Sequence, residues 1–190
     1  MTREFREDII ADVKRDFAAR VEARRPYETQ WRLNMNFYMG NQYCTALPTG
    51  EIADVERDYY WQEREVFNHI SAIVETRQAK LNTVRPSLTV RPFSSDDGDV
   101  KTAKNATKIL NSACDRLDVD ALLTDGTMWS EICGTGFYYI GWDERAGLEI
   151  SDGVFEGDVC ASVVPPFEIY PDNIFAQNVS DCRSIIRARA

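Results

Sequence analysis

Histidine is almost missing from this 190-residue chain, where His69 stands alone. With one imidazole and no G-x-S-x-G elbow, the serine–histidine–acid arrangement of a hydrolase lacks its parts. His69 lies beside helical apolar positions next to Asn68, so it reads as a structural or solvent-facing histidine. Cysteine is equally unhelpful to chemistry: Cys44, Cys114, Cys133, Cys160 and Cys182 are odd in number, widely spaced and never in a C-x-x-C pair. A zinc site therefore has no ligand set, and free buried thiols are expected. No apolar run approaches the ~18 residues of a membrane span, and acids stand where a signal peptide would begin its apolar core. The expectation is a soluble protein made in a cytoplasm, with no membrane partner. Basic charge is short as well. The 22 Lys and Arg against 31 Asp and Glu leave a net charge of -9, which argues against a surface built to grip phosphate but allows one past which DNA slides.

What is present is a core-forming composition, 44% hydrophobic and 11% aromatic, too apolar for disorder. Periodicity divides it into a helical front and a strand-rich back. Phe5, Ile9, Val13, Phe17 and Val21 recur every four residues, predicting an amphipathic arm over 1–24 that ends at Arg25-Pro26. A second helix is expected over 27–39, with Trp31, Met35 and Tyr38 on one side and Gly40 as its stop. Turn chemistry over 40–64 predicts an ordered loop with at most a short strand. Helical spacing returns over 66–84, and Leu88 to Pro92 has the alternation of an edge strand, placed at 87–92. The polar run Ser94 to Asp99 caps a helix over 99–117, and another over 119–133 follows, in which Gly126 allows a close approach and Gly134 makes the end. From Thr135 the period falls to two, predicting strands over 136–190 in one antiparallel sheet. The whole is α+β, an arm over 1–24 and a body over 25–190 with helices packed against a C-terminal antiparallel sheet.

Few residues invite a chemical reading, and each has a plainer one. Gly134-Thr135-Gly136 follows a helix and opens a strand, the reverse of the order that aims amides at phosphate, so a turn is preferred. Asp96, Asp97 and Asp99 around Gly98 miss the calcium-loop template and suit helix capping. Arg20, Arg24 and Arg25 cluster where the first helix is expected to end, which suits its dipole, and Glu22 and Glu28 neutralise them. No catalytic, cofactor or metal residue is assigned. The aromatic set Trp31, Phe37, Tyr38, Tyr43, Tyr59, Tyr60 and Trp61 is too large for a short loop to bury, and reads either as a core staple or as a subunit contact.

The stretch Tyr27-Glu28-Thr29-Gln30-Trp31 through Phe37-Tyr38-Met39-Gly40-Asn41-Gln42-Tyr43 resembles the start of the portal proteins of tailed bacteriophages. There a helix with an inward tryptophan runs into an aromatic, a glycine and a glutamine. Val66-Phe67-Asn68-His69-Ile70 resembles the asparagine-led start of the family's next helix, and Leu81 through Arg91-Pro92 its passage to a proline-flanked strand. Gly134-Thr135-Gly136-Phe137 through Gly141-Trp142-Asp143, then Gly157-Asp158-Val159 and Val164-Pro165-Pro166-Phe167-Glu168-Ile169-Tyr170-Pro171-Asp172, resemble the strands of its wing. The likeness lies in the order of these pieces over nearly the whole chain from about residue 20.

The resemblance implies a structural portal subunit, not an enzyme, in a ring that is usually a dodecamer at one capsid vertex. Double-stranded DNA enters and leaves through such a ring without specific binding. Capsid, scaffold, terminase and head-completion proteins are the implied partners, the virion is the implied location, and assembly takes place in the host cytoplasm. The family's stem, clip and crown have no counterpart in this sequence, which reads as the wing-bearing front part. Two readings of other classes stand beside it: a helical adaptor module of a phage particle without a channel role, and a small hydrolase, which would need a buried titratable pair.

Overall fold

The computed structural model describes residues 3–56, 59, 61, 63–84 and 86–189. It is α+β, and among the described residues it holds four α-helices and four two-stranded antiparallel sheets.

The first helix, α1 (Arg3–Tyr38), runs unbroken for 36 residues with Pro26 inside it. The two helices expected on either side of Arg25-Pro26 are thus one. A proline in a helix interior costs ~3 kcal/mol, through one missing N–H and a clash with the preceding turn. Side chains on both flanks offset that cost. Arg24 Nη2 bridges the proline to Glu28 at 2.9 Å, and Thr29 Oγ1 donates to the carbonyl of Gly50 at 3.2 Å.

The segment after α1 is more regular than its turn chemistry predicts. Strands β1 (Cys44–Ala46) and β2 (Ile52–Asp54) pair antiparallel, closed by Leu47 N–H donating to the Glu51 carbonyl at 2.8 Å. Helix α2 (His69–Asn82) begins behind Asn68, whose Oδ1 accepts the Ser71 amide at 3.1 Å, an asparagine N-cap. Residues 87–92 hold no strand. Pro86 and Pro92 deprive that run of donors at both ends, and the Val90 amide is taken by the Thr107 hydroxyl at 3.0 Å instead of by a neighbouring strand.

Helix α3 (Asp97–Arg116) starts at Asp96, which accepts the Gly98 amide, so its first turn lies two residues ahead of the expected 99. Helix α4 (Val119–Cys133) has the expected bounds, and Gly134 leaves it at φ +77°, a left-handed conformation that favours glycine. The back of the chain is strand-rich as expected, but it is not one sheet. Strands β3 (Phe137–Asp143) and β6 (Asp158–Val164) pair over their full length. The short β4 (Glu149–Ser151) and β5 (Val154–Phe155) pair with each other, as do β7 (Ile169–Pro171) and β8 (Ile185–Arg187). Pro165-Pro166 explains the division, because two successive residues without N–H groups cannot carry the β6 ladder onward, and a 3-10 turn at Pro166–Glu168 takes over.

The chain forms two compact units. Unit 1 comprises Met1–Val74, Trp129–Thr135 and Pro165–Ala190, and unit 2 comprises Glu75–Met128 and Gly136–Val164. In unit 1, Cys44, Cys133, Ile169 and Pro166 are buried, together with two arginines of α1. In unit 2, Ala103 and Val164 are buried. Backbones come close there: a Cβ on Gly136 would lie 2.7 Å from the carbonyl oxygen of Gly126, and one on Gly126 would meet the Tyr138 ring. Gly126 is the close-approach residue its sequence context suggests.

Candidate functional site

The most constrained place in unit 1 is a pair of arginines on α1. Phe17, Arg20, Arg24 and Trp31 stand three, four and seven residues apart, so they share one helical face. That face meets the segment from Pro165 to Arg187. Arg20 and Arg24 are 8% and 3% exposed, unusual burial for guanidinium groups. Arg20 Nη1 donates to the carbonyls of Tyr170 at 3.1 Å and Ser184 at 3.0 Å, while Nη2 binds the Ser184 hydroxyl at 2.7 Å and the Asp16 carboxylate at 2.6 Å. Arg24 Nη1 donates to the carbonyls of Pro166, Phe167 and Ile169 at 3.2, 2.9 and 2.9 Å.

A planar donor fork suits this job, because carbonyls of the 3-10 turn and of the β7–β8 pair, some of them already accepting one backbone amide, converge there and can each accept a further donor. The Arg24 guanidinium also lies 3.6 Å from the centre of the Tyr170 ring, a cation–π contact. Phe17 meets Tyr170 edge-on at 4.8 Å, and Trp31 and Trp129 meet Phe167 at 5.5 and 6.1 Å. Nε of both arginines is buried without a hydrogen-bond partner. The arrangement is a clamp. It fixes a strand pair and its leading 3-10 turn to the middle of α1.

The aromatic set from the sequence is divided among several places in unit 1. Trp31 belongs to the clamp. Phe37 and Tyr38 line a small hollow with Asn34, Ile70, Val74 and Ile132. Tyr43 carries the Arg64 guanidinium over its ring at 4.8 Å, and Arg64 in turn holds the carbonyls of Val55 and Glu56, both at 2.6 Å. Tyr59 and Trp61 stack on each other at 5.2 Å and are largely exposed. Tyr60 lies outside the described residues.

Other expected features fall elsewhere. The apolar stripe of the first helix is uncovered at Ile9 and Val13, and is engaged only from Phe17 onward; the side chain of Phe5 lies outside the described residues. Arg20 and Arg24 are not near a helix end, which corrects the dipole reading; Arg25 is exposed and paired with Glu22 at 3.3 Å. The sequence signal for the clamp was the Phe17–Arg20–Arg24–Glu28–Trp31 spacing, which puts charges on a buried face and is easily taken for a solvated one. Asn68 has a second role that its place in the sequence does not show. Besides capping α2, its Nδ2 donates to the Tyr38 carbonyl at 2.7 Å, and so pins the end of α1 to the start of α2.

His69 is exposed on the first turn of α2. Cys44 and Cys133 are buried while Cys114, Cys160 and Cys182 are half-buried, and all are free thiols. Burial pushes the Cys133 thiol up to about 11, far from the range of a reactive thiolate. Asp96, Asp97 and Asp99 serve the start of α3, with Ser94 Oγ donating to Asp99. Among the described residues, no group of three or more His, Cys, Asp or Glu side chains converges as a metal site. No described helix is long and apolar enough to cross a membrane.

A family model described as Phage P22-like portal protein matches residues 14–190 of the chain. No curated protein and no solved structure is significantly similar to it.

Proposed function

The chain belongs to the P22-like phage portal protein family, a structural family of the capsid vertex, and from that premise we propose that it is the wing-and-arm part of a portal subunit. In this reading copies of the protein form a ring, a dodecamer in the full-length form, through which double-stranded DNA is packaged and later ejected. The polypeptide contributes architecture and no catalysis, and the hydrolysis that drives packaging belongs to the terminase that docks on the ring. Capsid, scaffold and head-completion proteins are its other neighbours. It is assembled in the host cytoplasm and ends in the virion. The first turns of α1 act as an arm toward a neighbour, and the exposed Tyr59–Trp61 stack serves as a subunit contact.

The observation that carries this reading is the extent of the family match, which takes in all but the first residues of the chain. Two physical features support it. A net charge of -9 suits a passage that must not hold its cargo. The clamp spends its two buried cations on internal carbonyls, as a rigid part of an assembly would. The test is immunolabelling of the phage particles whose genome encodes the chain. Antibodies to the purified protein should mark a single vertex per capsid; label on every vertex, or on none in opened particles, would refute the reading.

A further inference from the structure

Unit 2 carries two unlike surfaces that complement each other. One is on α3. Lys101, Lys104 and Lys108 stand three and four residues apart on the side opposite the buried Ala103, and all are exposed. Among the described residues none of the three makes an ion pair, and only Lys101 has an acid one turn away, Asp97. Like charges at this spacing weaken a helix slightly, and within α3 only Asp97, at Lys101, offsets that small cost. Beside it lies Ile109, 71% exposed.

The other surface is the β3–β6 hairpin with its β4–β5 tip. The register puts Tyr138, Ile140 and Trp142 on the same face as Val163, Ala161 and Val159, an apolar face without a polar position. Tyr138 reaches Gly126, and Trp142 lies over Gly157. Beyond those contacts the face is open: Ile140 is 74% exposed, and Leu148 and Ile150 at the tip are comparably so. Four carboxylates, Glu144, Glu149, Asp152 and Glu156, stand around the hairpin tip beside it, with Arg145 the one basic residue of that stretch. A two-stranded ribbon is marginal by itself in water and gains stability from a cover.

We propose that the acidic, apolar hairpin of one copy docks on the lysine stripe and Ile109 of α3 in the next copy. The occupant is a second copy because both halves of the match, opposite charge around exposed aliphatic groups, are found on this chain. The two surfaces differ, so the contact is head-to-tail, the kind that closes into a ring when the rotation permits. This inference rests on the ring reading and names its interface.

Two charge-reversed variants test it. The first is K101E/K104E/K108E; the second is E144K/D152K/E156K, whose carboxylates make no hydrogen bond or ion pair among the described residues. Circular dichroism first establishes that each is folded, and sedimentation velocity then reads self-association at low and high salt. Each variant alone should associate at least about tenfold more weakly than the parent chain, since like charges now face each other. An equimolar mixture should recover the parent's association, because each variant presents what the other lacks; a damaged fold would not be rescued by mixing. Variants that associate like the parent, or a mixture that stays dissociated, overturn the interface while the vertex labelling stands. A parent chain that remains monomeric overturns it too. Binding of duplex DNA that is lost in the first variant, with self-association unchanged, would assign the stripe to DNA and also overturn it.

Discussion

Replacing Arg24 with methionine, which keeps most of the stem and removes the guanidinium, should destabilise unit 1 by about 2 kcal/mol. Of the three carbonyls served by Nη1, that of Pro166 keeps the Ile169 amide as a donor, while that of Ile169 loses its donor in a buried setting. Each buried acceptor left alone costs ~1–3 kcal/mol. The contact with Tyr170 at 3.6 Å is desolvated, and such a contact contributes ~2 kcal/mol. The link to Glu28 adds little, because Glu28 keeps Arg32 at 2.6 Å. Against these losses stand the arginine's own desolvation and its unpartnered Nε, whose removal returns ~1–3 kcal/mol. At 190 residues the net loss corresponds to a fall in Tm of about 4–8 °C.

Urea unfolding followed by circular dichroism measures the energy, and native-state hydrogen exchange locates it. Protection should fall across 165–189 and stay unchanged across 97–116. Arg24→Lys should recover only part of the loss, because one ammonium cannot reach the carbonyl group and Glu28 together. A methionine variant within about 0.5 kcal/mol of the parent, the range of ordinary surface changes, would refute the clamp.

Pro26→Ala restores the amide that the Glu22 carbonyl lacks, and should stabilise the protein by about 1–2 kcal/mol in urea unfolding after the gain in unfolded-state freedom is subtracted. Gly136→Ala drives a methyl group to 2.7 Å from the Gly126 carbonyl oxygen, and since that neighbour is backbone, the cost should be about 2–3 kcal/mol in the same assay. Cys133, with its thiol held near 11 against an ordinary 9.0, should react with a thiol reagent at pH 8 about a hundredfold more slowly than an unperturbed thiol in the folded protein, counting thiolate alone. Its folded value is raised, so the stability it contributes is complete below pH 9 and is lost as pH rises toward 11. The parent should therefore lose stability relative to Cys133→Ala over that window, as read by paired unfolding curves.

Helix boundaries are legible in the sequence where one side chain or one glycine settles the matter. Asp96 caps α3 and Gly134 releases α4 as their chemistry suggests. Pro26 misleads, because the local penalty is visible in the sequence and the tertiary partners that offset it are not. The strand-rich back is legible from its period of two, yet one sheet and three ribbons share that period. The pairing is decided by Pro165-Pro166 and by the packing of Gly136 on Gly126. The clamp is the hardest feature to foresee. Arg20 and Arg24 look like solvated charges until the carbonyls they serve, more than a hundred residues away, are brought to them. The division of the aromatic set between clamp, hollow and exposed stack depends on where the start of α2 and the 165–187 segment lie, which no local spacing shows.

The unbroken course of α1 has a mechanical meaning. At 36 residues and ~1.5 Å of rise each, it is about 54 Å long, and its tertiary hold begins near Phe17. The turns ahead of that point expose Ile9, Ile10 and Val13, and a helical stretch of about a dozen residues is only marginally stable in water without support. The length continues from a rod already fixed by Arg20 and Arg24, so its nucleation is supplied by the clamp, and only propagation remains to be favoured. Those turns behave as a beam held at one end: shortening or loosening the clamp should unwind the free end first, even though no contact of the free end has been touched.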